Sequence, residues 1–183
     1  MSGSSSNPIS SVSDTARWVA MYRAMESERP DASLRDPCAR RLAGPAGEQI
    51  LASMPQGRRW AWPMIVRTAV MDEVIMRLVT QEGVDTVLNL AAGLDARAYR
   101  LDLPAQLRSG NAPMIFAPAE GTAFFAPTGW GEAEYHAILD EALRLKRAPR
   151  MSWVWRLLGL LASKQRRAEF KRFSGIVLLQ HHP

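Results

Sequence analysis

Residues 84–97 read Val-Asp-Thr-Val-Leu-Asn-Leu-Ala-Ala-Gly-Leu-Asp-Ala-Arg and form the most informative segment of the chain. The short apolar run predicts a buried parallel strand that ends in a turn of small residues, Ala91, Ala92 and Gly93, and opens into a helix. Free backbone N–H groups at such a helix start are where nucleotide-type cofactors dock in doubly wound α/β folds. A second strand with a ribose-binding acid should follow about 20 positions later. No such strand follows, and Asp102 is rejected as a substitute because it belongs to the helix leaving the turn.

Composition indicates an ordinary globular protein. The chain has 183 residues, of which 47% are apolar and 22% charged, enough for one domain with a sizeable core. The single cysteine, Cys38, excludes an internal disulfide and favours a cytoplasmic location. Residues 1–12 are expected to form a disordered tail, and no apolar run reaches the length of a membrane-spanning helix.

The net charge of +5 lies entirely in residues 105–183. Ten of the eleven basic residues in this part of the chain lie between positions 144 and 172. They form either a solvated helix face or a surface for nucleic acid or anionic membrane. Because basic and aromatic residues are not interleaved as in a nucleic-acid module, we expect no nucleic-acid partner.

Helices dominate the first half of the predicted structure. A capping box at residues 11–14 opens a helix that ends near Glu28, and Pro37 begins a second helix that Gly44 interrupts before a short one at 48–54. A turn follows at 56–59, and Pro63 begins a long apolar helix that reaches residue 81 and is capped by Gly83.

Thr68 and Asp72 fall in the middle of the apolar face of that long helix. A buried carboxylate needs a partner, since burying a lone charge is too costly. Asp72 is therefore either an anchor in a core ion pair or part of a ligand site.

Beyond the turn, we expect a helix at 95–99, a short extended piece at 122–126, helices at 131–147 and 153–161, and a final buried strand at 175–179. The helix at 153–161 either packs on the core with a basic outer face or lies on a membrane surface. No metal site is expected, because His136 lacks partners at a ligand spacing and the other two histidines are terminal.

Taken together, several segments resemble the leucine carboxyl methyltransferase-like family of S-adenosylmethionine-dependent O-methyltransferases, closest to its bacterial branch. The matching segments are residues 14–16, 35–37, 67–68 with Asp72, 88–97, 121–125, 129–130 and 173–179. Their order and combination carry the resemblance, because each motif alone is short.

The resemblance implies S-adenosyl-L-methionine as cofactor and a small-molecule or carboxylate acceptor. It implies that Ala91, Ala92 and Gly93 line the methionine end of the cofactor and that Arg67 pairs with its carboxylate, a role suited to a planar guanidinium. Without the family, Arg67 reads as a surface arginine at a helix edge, and Gly93 as an ordinary turn glycine. No catalytic residue is assigned, since such enzymes act mainly by proximity and orientation.

The family pattern breaks after Arg108, where the chain passes directly to a segment that resembles a late part of the family fold. Three βαβ units, roughly 90 residues, are missing there. We therefore predict a truncated Rossmann-like α/β fold, mostly helical, with a small remnant parallel sheet in one domain over residues 13–183. Its parts are N-terminal helices (13–82), the first strand, turn and helix (83–108), and C-terminal helices with the last strand (109–183).

Strands without their usual neighbours expose unpaired edges, which would favour a homo-oligomer. The loss of the central strands predicts an impaired methyltransferase. The alternative is a non-catalytic remnant that binds a partner or an anionic surface through residues 144–172.

Overall fold

The computed structural model describes residues 12–87, 93–101, 121–149, 152, 165 and 171–182. Contacts divide the chain into two units, residues 1–112 and 113–183, which are described separately. Within the described ranges, no helix combines the length and apolar character needed to cross a bilayer. The predicted tail, the helix at 153–161 and residues 88–92 of the central segment lie wholly or almost wholly outside the described residues.

Two packed helices open the first unit. Helix α1 spans Val12–Ser27, which confirms the predicted helix. Helix α2 spans Ala39–Ser53 and is kinked at Gly44, where φ is 59°, so the predicted break is present. The helix begins two residues later than predicted, because the Asp36 carboxylate accepts the Cys38 N–H at 3.0 Å and its carbonyl accepts the Ala39 N–H.

A glycine lets the α2 backbone approach α1 closely. A Cβ added at Gly47 would lie 3.0 Å from the Arg17 carbonyl oxygen of α1. The buried apolar residues of the two helices are Ala20, Met21, Tyr22, Ala24, Ala39, Ala43, Ile50 and Leu51. The buried phenol of Tyr22 donates a hydrogen bond to the Gly57 carbonyl at 2.7 Å and ties α1 to the segment after α2.

The predicted turn at 56–59 is a short 3-10 helix, Gly57–Trp60, and helix α3 follows at Trp62–Gln81 with a proline in its first turn. Both the extent of α3 and its cap are as predicted, since Gly83 adopts a left-handed φ of 73° directly after it. Val66, Ala69 and Val70 on this helix are nearly inaccessible to solvent. Helix α3 therefore contributes the remaining core of the first unit.

The strand predicted at 84–90 is absent from its described part. Residues 84–87 adopt no regular structure, and no described strand lies beside them. A strand is stable only when a neighbour satisfies its backbone groups. Helix α4, Arg97–Arg100, is a single turn that begins two residues later than predicted.

The second unit contains a two-stranded antiparallel sheet. Strand β1 (Trp130–Ala137) pairs with β2 (Gly175–His181), with an irregularity between Glu132 and Glu134, and helix α5 (Ile138–Arg144) follows β1. The predicted final strand is confirmed. The helix predicted at 131–147 is wrong in its first half, because pairing with β2 overrides the helical pattern there.

Residues 122–126 were expected to be extended and instead lie in a 3-10 helix, Gly121–Thr128. The Thr128 hydroxyl stabilises this helix by donating to the Phe125 carbonyl at 2.7 Å. The prediction of a mostly helical α/β fold is confirmed. The described strands run antiparallel, however, so the predicted parallel sheet is not what they form.

Candidate functional site

The turn at Gly93 is exposed and left-handed. Its φ is 54°, a region in which residues with a Cβ are strained, so the conformation itself favours glycine. Among the described residues, a Cβ there would meet the Ala16 Cβ of α1 at an ordinary contact distance of 3.6 Å. No described atom would therefore clash with a Cβ at this position. Ala91 and Ala92, the other two residues predicted to line the cofactor, lie outside the described residues.

A cluster of three arginines and three aspartates lies beneath this turn and is called here the buried ion-pair cluster. Its members are Arg23, Asp36, Asp72, Asp95, Arg97 and Arg100. The formal charges cancel. Asp36 is fully inaccessible at its side chain and Arg100 is 2% exposed, so solvent screens these charges little.

Arg23 connects the cluster to the turn. Its Nε donates to the Asp36 carboxylate at 2.8 Å, and a terminal nitrogen donates to the Leu94 carbonyl at 2.6 Å. The Ser27 hydroxyl accepts the Asp36 backbone N–H at 2.8 Å and fixes that carboxylate's own backbone. Helix α1 therefore contacts the residue directly after Gly93 through one guanidinium.

Asp72 connects the cluster to helix α3. Its carboxylate accepts hydrogen bonds from Arg97 Nε at 2.6 Å and from both terminal nitrogens of Arg100 at 2.7 Å. Of the two interpretations of Asp72, the core ion pair is therefore confirmed. Thr68, its neighbour on the same face, donates its hydroxyl to the Met64 carbonyl at 2.8 Å, a bond within the helix itself.

Asp95 occupies the start of α4. Its carboxylate accepts the Arg97 backbone N–H at 2.9 Å and also pairs with the Arg97 side chain. The sequence predicted free N–H groups at this helix start as the docking point for a cofactor. In the structure α4 has four residues, and its leading N–H group, that of Arg97, is paired with the Asp95 carboxylate.

Arg67 lies on α3 and is exposed. It makes no hydrogen bond or ion pair with any side chain in the part of the chain that the structure describes. A guanidinium that pairs with no described side chain suits an anion such as a carboxylate. Arg67 precedes Thr68, whose carbonyl accepts from Arg97 at 3.4 Å, so the same helix also contacts the segment after the turn.

Sequence reasoning missed Arg23 and Arg100. Both lie in or beside helical patterns where an arginine normally faces solvent. Only the residues that they contact, which are far away in the sequence, reveal their role. One signal was available: Asp72 falls in the middle of an apolar helix face and therefore requires a buried partner. Sequence alone does not say which of the chain's arginines supply it.

The second unit has a different polar cluster at the junction of β1 and α5. His136 lies between two carboxylates, 2.9 Å from Glu141 and 3.0 Å from Glu134. Its hydrogen bond to Glu141 raises the pKa of His136, an effect that outweighs partial burial. A shallow cavity of about 450 Å³ adjoins these residues and is also lined by Lys171 and Arg172. Among the described residues, no three His, Cys, Asp or Glu side chains are grouped to hold a metal ion.

Three of the five basic residues of the 144–172 stretch that the structure describes are paired with acidic neighbours. Arg144 pairs with Glu141 at 2.6 Å, Lys171 with Asp140 at 3.0 Å, and Arg172 with Glu132 at 2.6 Å. Their charge is therefore compensated locally. The observation favours a solvated face over an anion-binding surface for this part of the stretch.

The family match lies in the N-terminal part of the chain. Residues 16–109 match the family model described as leucine carboxyl methyltransferase. This match contains most of α1, all of α2 to α4, the turn at Gly93 and all six residues of the buried ion-pair cluster. It ends where the sequence pattern predicts the break.

Several bacterial relatives are named provisionally as S-adenosyl-L-methionine-dependent methyltransferases. A protein of Rhodococcus jostii is 44% identical over 108 residues, and one of Mycobacteroides abscessus is 40% identical over 111; each match covers 56% of this chain and 36% of the relative. A Streptomyces coelicolor protein is 38% identical over 104 residues, with 51% and 36% covered. The chain thus spans about a third of the length of the curated relatives it matches.

Proposed function

Because the chain belongs to the leucine carboxyl methyltransferase family, we propose that it is an S-adenosyl-L-methionine-dependent O-methyltransferase whose acceptor is a small molecule or a carboxylate. Its central segment, residues 84–97, would be the first strand, turn and helix of a Rossmann-like fold, within one domain over residues 13–183. The loss of the units after Arg108 would impair methyl transfer, because those units would supply most of the acceptor pocket. We also propose a cytoplasmic location, because a chain with a single cysteine has no internal disulfide.

The cofactor would be held at the turn. Ala91, Ala92 and Gly93 would line its methionine end, and Arg67 would bind its carboxylate through the planar guanidinium. The residues described fit this assignment: Gly93 is exposed and has no Cβ to stand between its backbone and a ligand, and Arg67 is exposed without a described partner. When bound, the cofactor supplies an activated methyl group on a sulfonium, and the chain's part is to orient it.

One observation carries the proposal. An exposed glycine in a left-handed turn is anchored from two helices by buried charges, and the whole assembly falls inside the segment that matches the family. A turn that merely reversed the chain direction would not need such anchoring, since turn residues alone suffice. A backbone that must meet a ligand needs a defined position.

Isothermal titration with S-adenosyl-L-methionine tests the proposal. We expect binding in the micromolar range for the native chain and its loss in Gly93→Asp, which places a carboxylate in the proposed cradle. Gly83→Asp is the matched control, because Gly83 also has a positive φ, of 73°, and a Cβ at either glycine would clash with no described atom. The Gly83→Asp variant incurs comparable backbone strain and adds the same charge away from the turn. It should therefore bind S-adenosyl-L-methionine as the native chain does.

A flat trace from natively folded protein would contradict the enzyme and favour the non-catalytic remnant. Equal losses in Gly93→Asp and Gly83→Asp would contradict the site, because the effect would then come from strain or charge in general.

A further inference from the structure

We propose that Arg23 and Asp72 are positioning residues, which touch no cofactor but hold the turn after Gly93 in its binding shape. The inference rests on the proposed function and adds to it a role for the buried ion-pair cluster. Motif segments that are far apart in the chain meet in this cluster, and two of its members act on the turn from different helices.

The contact of Arg23 with the turn depends on guanidinium geometry. Asp36 fixes Nε at 2.8 Å, and this leaves a terminal nitrogen directed at the Leu94 carbonyl at 2.6 Å. The two acceptors are thus joined through one rigid planar fork. A lysine carries the same charge on a single nitrogen and cannot reproduce both bonds in this geometry.

Asp72 holds the other end of the same segment. It accepts from the side chains of Arg97 and Arg100, the first and last residues of α4. Arg97 in turn contacts Asp95 through both its backbone and its side chain. Residues 94–100 are therefore connected to α1 at one point and to α3 at the other.

Apolar packing contributes little to the position of this turn. Between Gly93 and Arg97, only Ala96 is buried among the described residues, whereas Gly93 is exposed. Buried ion pairs seldom stabilise a protein more than apolar residues of the same size would. Their contribution here is to orientation. Hydrogen bonds depend on angle and therefore fix the orientation of the turn, whereas apolar contacts would allow the turn to shift.

The test compares Arg23→Lys with Arg40→Lys. Arg40 is also a helical arginine in ion pairs, with Glu28 and Glu48, but it is 47% exposed and does not contact the turn. Hydrogen exchange is measured without cofactor on peptides covering residues 93–101 and 39–53, and cofactor affinity is measured by titration.

We expect Arg23→Lys to accelerate exchange at Tyr99, Arg100 and Leu101, whose N–H groups close α4, and to leave exchange in α2 unchanged. Affinity for S-adenosyl-L-methionine should fall at least about tenfold, the equivalent of roughly 1.4 kcal/mol. Arg40→Lys should change neither quantity. If Arg23→Lys does not fold, Arg97→Lys tests the same segment, since lysine cannot bind Asp72 and Asp95 together.

Unchanged exchange over 93–101 in Arg23→Lys would overturn the positioning role, as would unchanged affinity in a chain that binds cofactor. If Arg23→Lys exchanges faster over residues 93–101 but the native chain binds no S-adenosyl-L-methionine, the proposed function is overturned instead. Acceleration spread equally over 39–53 would also overturn the inference, because it would show a general structural role.

Discussion

Replacing Asp72 with asparagine should destabilise the protein far more than the same change at an exposed aspartate. Asparagine keeps the size of the side chain but removes the carboxylate that Arg97 and Arg100 share, which leaves Arg97 with Asp95 alone and Arg100 with Asp36 at 3.8 Å. Its amide nitrogen would also place a donor against the donors of a guanidinium. Arg100 is 2% exposed at its side chain and cannot recover its charge compensation from water.

The magnitude follows from burial. Removing one partner of a buried ion pair costs about 3–5 kcal/mol, since the remaining charge stays desolvated. The control is Asp31→Asn, where the aspartate pairs with Arg29 at 3.0 Å but both side chains are about half exposed, 57% and 49%. Such surface pairs contribute about 0–1 kcal/mol. The two variants should therefore differ by at least about 2 kcal/mol.

Urea denaturation followed by far-ultraviolet circular dichroism measures both variants, with free energies of unfolding from linear extrapolation. High salt offers a second readout, because it screens exposed pairs and leaves buried ones almost unaffected. The penalty of Asp72→Asn should persist in 1 M salt. If Asp72→Asn and Asp31→Asn agree within about 1 kcal/mol, the reasoning about the buried ion-pair cluster is refuted.

Three further variants probe other parts of the structure. Gly47→Ala should destabilise by about 1–3 kcal/mol, because its Cβ would crowd the α1 backbone; a stabilised variant in urea denaturation would show that the helices are not in close contact. Tyr22→Phe should cost about 1–3 kcal/mol in the same assay, because it leaves the buried Gly57 carbonyl without its donor, and no change would exclude that hydrogen bond. His136→Gln should be pH-dependent: the folded pKa of His136 is raised by Glu141, so its contribution is complete below about pH 6.5 and is lost as pH rises through the folded pKa. The difference in melting temperature from the native chain should accordingly be larger at pH 6 than at pH 9, and a constant difference would exclude the ion pair.

Local sequence signals predicted the helical part of the first unit well. Proline at the start of α3, glycine after its end and the interruption at Gly44 all act through backbone constraints of single residues, which any sequence displays directly. The need of Asp72 for a partner was equally visible, because desolvation of a carboxylate does not depend on the details of the fold.

Pairing between distant residues is what the sequence left open. The helix predicted from residue 131 begins as strand β1 because a partner strand, 38 or more residues later, satisfies its backbone. Residues 84–87 form no strand for the complementary reason, since no described partner reaches them.

Amino-acid order by itself thus determined the family motifs, the glycine at the turn and the boundaries of the long helices, because each depends on residues close together in the chain. Tertiary structure alone decided that Arg23 reaches Leu94 across 71 positions and that Arg97 and Arg100 share Asp72. An arginine's long side chain has many acceptors within its reach, and only the packing of α1 and α3 around the turn selects among them.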